Sequence, residues 1–145
     1  MNVGALCHRP VVSVPSHATL AEAAARMREG HVGAVVVTRD AFAPPRVAGI
    51  LTDRDILRAQ LQHTADLSRL GVRECMSREP LVLKEDASIE EAIADLRARG
   101  VRRAPVVTQE DELIGLISID DLLAQIASEL SRVAEAMAQQ VHRER

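Results

Sequence analysis

The chain repeats itself. Thr19-Leu20-Ala21-Glu22 and Ser88-Ile89-Glu90-Glu91 open two matching stretches in which a hydroxyl residue is followed three positions later by Glu. That spacing is a capping box: the hydroxyl accepts a hydrogen bond from an amide of the first helical turn, and the Glu reaches back to the cap. Apolar residues then recur at helical spacing, Leu20, Ala23, Ala24 and Met27 against Ile89, Ala92, Ile93 and Leu96. Gly30 and Gly100 are placed to end the two helices. A duplication of this kind restricts the fold strongly, because each copy must be one supersecondary unit too small to bury a core alone.

The match continues downstream. Ala34-Val35-Val36-Val37 and Ala104-Pro105-Val106-Val107 are short apolar runs with β-branched residues, and they predict strands. Turns follow each, the first being the longer stretch Thr38 to Arg46. Val47 to Leu57 then aligns with Leu113 to Leu123, each reading as a strand that runs straight into a helix. Upstream, Val11-Val12-Ser13-Val14 and Leu81-Val82-Leu83 predict one more strand per copy. Each copy is therefore strand–helix–strand–strand–helix, with Gln62 to Val72 connecting them.

Two segments carry a resemblance. Gly49-Ile50-Leu51-Thr52-Asp53-Arg54-Asp55 and Gly115-Leu116-Ile117-Ser118-Ile119-Asp120-Asp121 both fit a glycine–hydrophobic–x–[ST]–x–x–Asp pattern, in register with matched strands and helices. With His31-Val32-Gly33 and Val101-Arg102-Arg103 before the second strands, the chain resembles a tandem CBS-domain pair (a Bateman module) from about Val3 to Leu130. The resemblance implies an α/β fold of two pseudo-symmetric CBS repeats, β-α-β-β-α each, plus a C-terminal helix. It divides the chain into repeat 1 at 1–62, a linker at 63–71, repeat 2 at 72–130 and a helical extension at 131–145. It further implies a stand-alone regulatory module, not an enzyme. Such a module senses AMP, ADP, ATP, NAD or S-adenosylmethionine between its repeats, without a cofactor, as a homodimer acting on an unidentified protein partner. By the family's pattern, one cleft joins Thr52 and Asp55 to Val82, Arg102 and Arg103. The other joins Ser118 and Asp121 to Val12, His31, Val32 and Gly33.

The residues themselves suit such a ligand. Glycine lets a backbone pass close to a bound molecule. Thr52 and Ser118 stand at helix starts, where free amides and the helix dipole favour an anion. Asp55 and Asp121, one turn on, can accept both hydroxyls of a ribose. The plainer reading of Thr52-x-x-Asp55 and Ser118-x-x-Asp121 is a helix cap. The clefts differ in charge: Arg102 and Arg103, with Arg54 nearby, suit phosphate, whereas Asp120 lies beside Asp121 and His31 is the second cleft's cation. The first cleft is thus expected to take a phosphorylated nucleotide, and the second to bind weakly or take a nucleoside.

Composition removes other function classes. Among 145 residues there is one Phe and no Trp or Tyr, which argues against stacking on single-stranded nucleic acid and leaves an adenine to aliphatic side chains. The net charge of −3 argues against a broad phosphate-binding face. No apolar run reaches membrane-spanning length, and neither a signal peptide nor a cysteine framework is legible, so the expectation is a cytoplasmic protein without membrane or nucleic-acid partners. Cys7 and Cys75 hold matching positions and could approach each other under the pseudo-twofold, and His8 adjoins Cys7. No metal-ligand spacing supports a site there, and small buried hydrophobes are the expected role. The alternative to a nucleotide sensor is an interaction module with empty clefts. Its candidate surface is the stripe Ile126, Leu130, Val133, Met137 and Val141, which either pairs with another helix or folds back over its own core.

Overall fold

The computed structural model describes residues 1–39, 43–63 and 66–144. Residues 40–42 of the first turn, 64–65 of the connection and 145 of the extension lie outside the described residues. In chain order the elements are α1 (Val3–Leu6), β1 (Ser13–Pro15), α2 (Leu20–Gly30), β2 (Ala34–Thr38), β3 (Val47–Thr52) and α3 (Asp53–Gln62). After a short 3-10 turn at Leu67–Arg69 come α4 (Val72–Cys75), β4 (Ser77–Arg78), β5 (Leu83–Lys84), α5 (Ile89–Arg99), β6 (Arg103–Val107), β7 (Leu113–Ser118) and α6 (Ile119–Glu144).

The duplicated signals fold alike. Thr19 with Glu22 and Ser88 with Glu91 form reciprocal capping boxes on α2 and α5. Ala23 and Ala92 are fully buried, so both helices lie close on their sheets. The helix ends differ from expectation. Gly100 is the left-handed cap of α5 (φ 65°), but in α2 Gly30 is still helical and His31 takes that conformation (φ 52°). A side chain at Gly30 would press on Val12, so glycine there serves packing.

Two sheets form, in the order β1-β2-β3-β4 and β5-β6-β7. In each, the first pair is parallel and the second antiparallel, with Ser13 opposite Val36 and Val36 opposite Ile50, then Leu83 opposite Val106 and Val106 opposite Gly115. Each sheet carries its own core. Val14, Leu20, Met27, Val35, Val37 and Leu51 anchor the first, and Leu83, Leu96, Val106, Ile117 and Leu122 the second.

The segments that lead into each repeat cross over. Val3 of α1 is fully buried in the second core, and its N–H donates to the carbonyl of Ala87 (2.9 Å) while Gly4 N–H donates to that of Glu85 (2.9 Å). Val72 of α4 is fully buried in the first core, its N–H donating to the carbonyl of Ala18 (3.0 Å). β4 then pairs with β3, Ser77 opposite Ile50, and His8 bridges β7 at Leu116 in the equivalent way. The two halves are laced together by their beginnings.

This exchange explains the two motif glycines. A Cβ at Gly49 would lie 2.6 Å from the Met76 sulfur and 2.7 Å from the Ser77 carbonyl oxygen; at Gly115 it would lie 2.3 Å from the Cys7 sulfur. All three distances are far inside contact, so these glycines admit the crossing chain.

Candidate functional site

Thr52 and Asp55 begin α3 as a reciprocal cap. Asp55 N–H donates to the Thr52 hydroxyl (3.1 Å), and Thr52 N–H donates to Asp55 Oδ2 (2.9 Å). The plain reading of the motif therefore holds, but it uses only one carboxylate oxygen. Among the described residues nothing hydrogen-bonds Asp55 Oδ1. Thr52 and Asp55 line a cleft of about 320 Å³ together with Arg102 and Arg103 from the other repeat. Arg54 and Arg58 join them, giving four guanidinium groups against the two carboxylates of Asp53 and Asp55. Ile50, Val101 and Ser77 supply the less polar wall. Arg102 is also 3.5 Å from Asp120, an exposed pair that solvent screens.

Ser77, Arg58, Ile50, Asp53 and Val101 line this cleft without having been assigned to it from the sequence. Arg58 had a signal, since it sits one helical turn beyond Arg54 and Asp55 on the same face. Val82, expected in this cleft, instead lines a neighbouring cavity of about 780 Å³ with Met76, Arg78 and Pro80. The short strand β4 divides the two spaces, and its successive side chains point to opposite faces, Ser77 to one cavity and Arg78 to the other.

The second motif is differently engaged. Ser118 N–H and the Ser118 hydroxyl both donate to Asp121 Oδ2 (2.8 and 2.9 Å), and Asp121 N–H donates to the Ser118 oxygen (3.2 Å). The other carboxylate oxygen, Oδ1, lies 2.7 Å from His8 Nε2. Both oxygens are thus occupied from within the chain. His8 holds in the second repeat the place that Ser77 holds in the first, and its imidazole reaches the motif carboxylate.

The remaining residues assigned to the second cleft are placed by their own repeat. Val12 packs against Gly30, and its carbonyl accepts from Val36 N–H (3.1 Å). His31 is an exposed left-handed cap, Val32 is exposed beside it, and the Gly33 carbonyl accepts from Asp53 N–H (2.9 Å).

Burial alone would raise the Asp121 carboxyl, but the hydrogen bonds from Ser118 and His8 outweigh it and hold the group below its ordinary value of 3.8. A depressed folded-state value favours the charged form, so this contribution to stability is complete above pH 3.8 and is lost as pH falls through the still lower folded value. Urea unfolding should therefore show the wild type more stable than Asp121→Asn at about pH 5, and the gap should narrow below about pH 4. A gap that stays constant to about pH 2.5 would contradict the network.

The cysteines are both free and belong to different cores, Cys7 against Gly115 and Cys75 near Asp55 and Glu74. Burial, then the charges of Glu74 and Asp55, push the Cys75 thiol up, away from thiolate chemistry. Among the described residues no three His, Cys, Asp or Glu side chains are placed to hold a metal, and no helix is long and apolar enough to cross a membrane.

Comparison with known proteins bears on this geometry. The CBS domain family model matches residues 3–62 and 72–128. An uncharacterized protein of Methanopyrus kandleri is 29% identical over 85% of this chain, which spans 61% of that relative's length. Hypoxic response protein 1 of Mycobacterium tuberculosis is 33% identical over 84% of this chain and 78% of its own. Among solved structures, a CBS domain protein from Pyrobaculum aerophilum complexed with AMP superposes with a TM-score of 0.77 at 28% identity, over 88% of this chain and 99% of that one.

Proposed function

This chain belongs to the CBS-domain family, with two repeats, and from that premise we propose that it is a regulatory, non-catalytic module binding one adenosine nucleotide in the cleft of Thr52, Asp55, Arg102 and Arg103. The observation that carries this reading is one cleft lined by Asp55, whose Oδ1 takes no hydrogen bond among the described residues, and by four arginines. A carboxylate recognises ribose hydroxyls, and guanidinium groups recognise phosphate by charge-assisted, often paired hydrogen bonds. AMP in the P. aerophilum relative supports the ligand class. The ligand's influence passes through differential affinity for two arrangements of the repeats. Two free thiols suit a reducing, cytoplasmic setting.

The test is a thermal-shift panel of AMP, ADP, ATP, NAD and S-adenosylmethionine, followed by calorimetry. A ligand selective for the folded state raises the melting point. AMP, ADP or ATP should do so with one equivalent bound per chain. No shift with any compound would overturn the reading and favour an interaction module.

His8→Ala should add a second, weaker equivalent, because it releases Asp121 Oδ1 without supplying new cations. Calorimetric stoichiometry checks this: a value that stays at one would show that His8 is not what closes the second groove.

A further inference from the structure

The cavity on the far side of β4 holds neither motif. Its volume of about 780 Å³ falls within the roughly 300–1,000 Å³ usual for small-molecule sites. Val47, Met76, Pro80 and Val82 give it an apolar wall. Arg39, Arg73 and Arg78 also line it, three guanidinium groups against the single carboxylate of Glu79 among the described lining residues. Arg73 donates to the hydroxyl of buried Ser16 (3.0 Å), and Arg78 reaches the Arg73 carbonyl (3.4 Å). Among the described residues neither Arg39 nor Arg78 pairs with a carboxylate. Between Arg78 and Pro80, Glu79 takes the left-handed conformation (φ 50°), rare for a residue with a side chain. Arg99 donates to its carbonyl (2.7 Å) and ties this turn down.

We propose that this cavity is a further ligand site, for a small organic anion of the aryl carboxylate class. A guanidinium fork matches a carboxylate with two parallel hydrogen bonds. An aromatic body suits the rest of the lining, because methionine sulfur makes favourable contacts with ring edges and guanidinium planes stack on ring faces. A bare phosphate would leave the apolar wall in water, and a polyanion would be repelled by Glu79. Ser77 and Arg78 alternate across β4, so this cavity and the nucleotide cleft share a strand but no described lining residue. The proposal is independent of nucleotide binding.

Fluorescence titration of the full chain with anilinonaphthalenesulfonate, an apolar aromatic anion, should show a saturable site. Naphthoate should displace the probe, and its uncharged counterpart naphthamide should do so at least about tenfold more weakly. Arg78→Glu should weaken the probe about tenfold or more with an unchanged circular-dichroism melt, since it puts like charge beside the anion. Where that melt moves, Arg39→Glu, just beyond the end of β2, gives the same reading. Arg102→Glu, across β4, should change probe affinity less than about twofold in physiological salt, which screens charges that do not touch it. Probe lodged on α6 would ignore Arg78: the stripe foreseen there does not fold back on its own core, and Ile126, Leu130 and Val133 are 43–69% exposed. No saturable binding, binding indifferent to both Arg78→Glu and Arg39→Glu, equal displacement by naphthamide, or as large a loss with Arg102→Glu would each overturn the proposal.

Discussion

Asp55→Ala should weaken AMP binding by roughly 30- to 150-fold, whereas Asp121→Ala should change it less than about twofold. Hydrogen bonds to a charged acceptor are worth about 1.5–3 kcal/mol each, and a loss of about 2–3 kcal/mol corresponds to that range of affinity. Asp55 has an oxygen to give to a ribose; Asp121 has both oxygens engaged by Ser118 and His8. Both substitutions also remove the carboxylate half of a capping box, while Thr52 and Ser118 still accept from the backbone amides of residues 55 and 121, so calorimetry belongs well below the melting transition. Asp55→Asn separates the effects, since its side-chain oxygen still accepts from Thr52 N–H but carries no charge. It should melt near the wild type and still bind AMP several-fold more weakly. Equal affinity losses at Asp55 and Asp121 would refute the asymmetry of the two grooves.

Removing residues 2–8 should destabilise the protein by roughly 3–5 kcal/mol, a large part of the 5–15 kcal/mol usual for a domain. Burying a valine such as Val3 contributes about 1.5–3 kcal/mol, and Leu6 and Cys7 also pack on the second core. The backbone hydrogen bonds of Val3 and Gly4 to the second repeat would be lost with them. Because α1 serves the second core, amides of β6 and β7 should lose hydrogen-exchange protection before those of β2 and β3. An unchanged urea midpoint, or earlier loss in the first repeat, would contradict the crossing.

What the sequence discloses, and what it hides, follows from the range of each interaction. The capping boxes at Thr19 and Ser88 and the valine-rich runs of β2 and β6 act within a few residues, so they are legible locally and fold as expected. The crossing of α1 and α4 is not legible, because four-residue helices carry no periodicity and their partners lie in the other repeat. Gly49 and Gly115 advertise a close approach without saying of what, and the answer is Met76 and Cys7. The grouping of Thr52, Asp55, Arg102 and Arg103 in one cleft was implied by the family resemblance and is not legible from these residues' local spacing. The His8–Asp121 contact, between residues 113 apart in sequence, left no local sign. The stripe on α6 announces that it needs a partner, but periodicity alone does not tell a neighbouring core from another molecule.

The root of α6 is knotted to Ser118, Asp121 and His8, while its remaining turns stand clear of the body. At about 1.5 Å per residue, 26 residues form a lever of roughly 39 Å. A pivot of about 5° at the root would swing the tip by roughly 3 Å, over half a helical turn, by geometry alone. A slight adjustment at the fulcrum is thereby magnified at the far end of the arm.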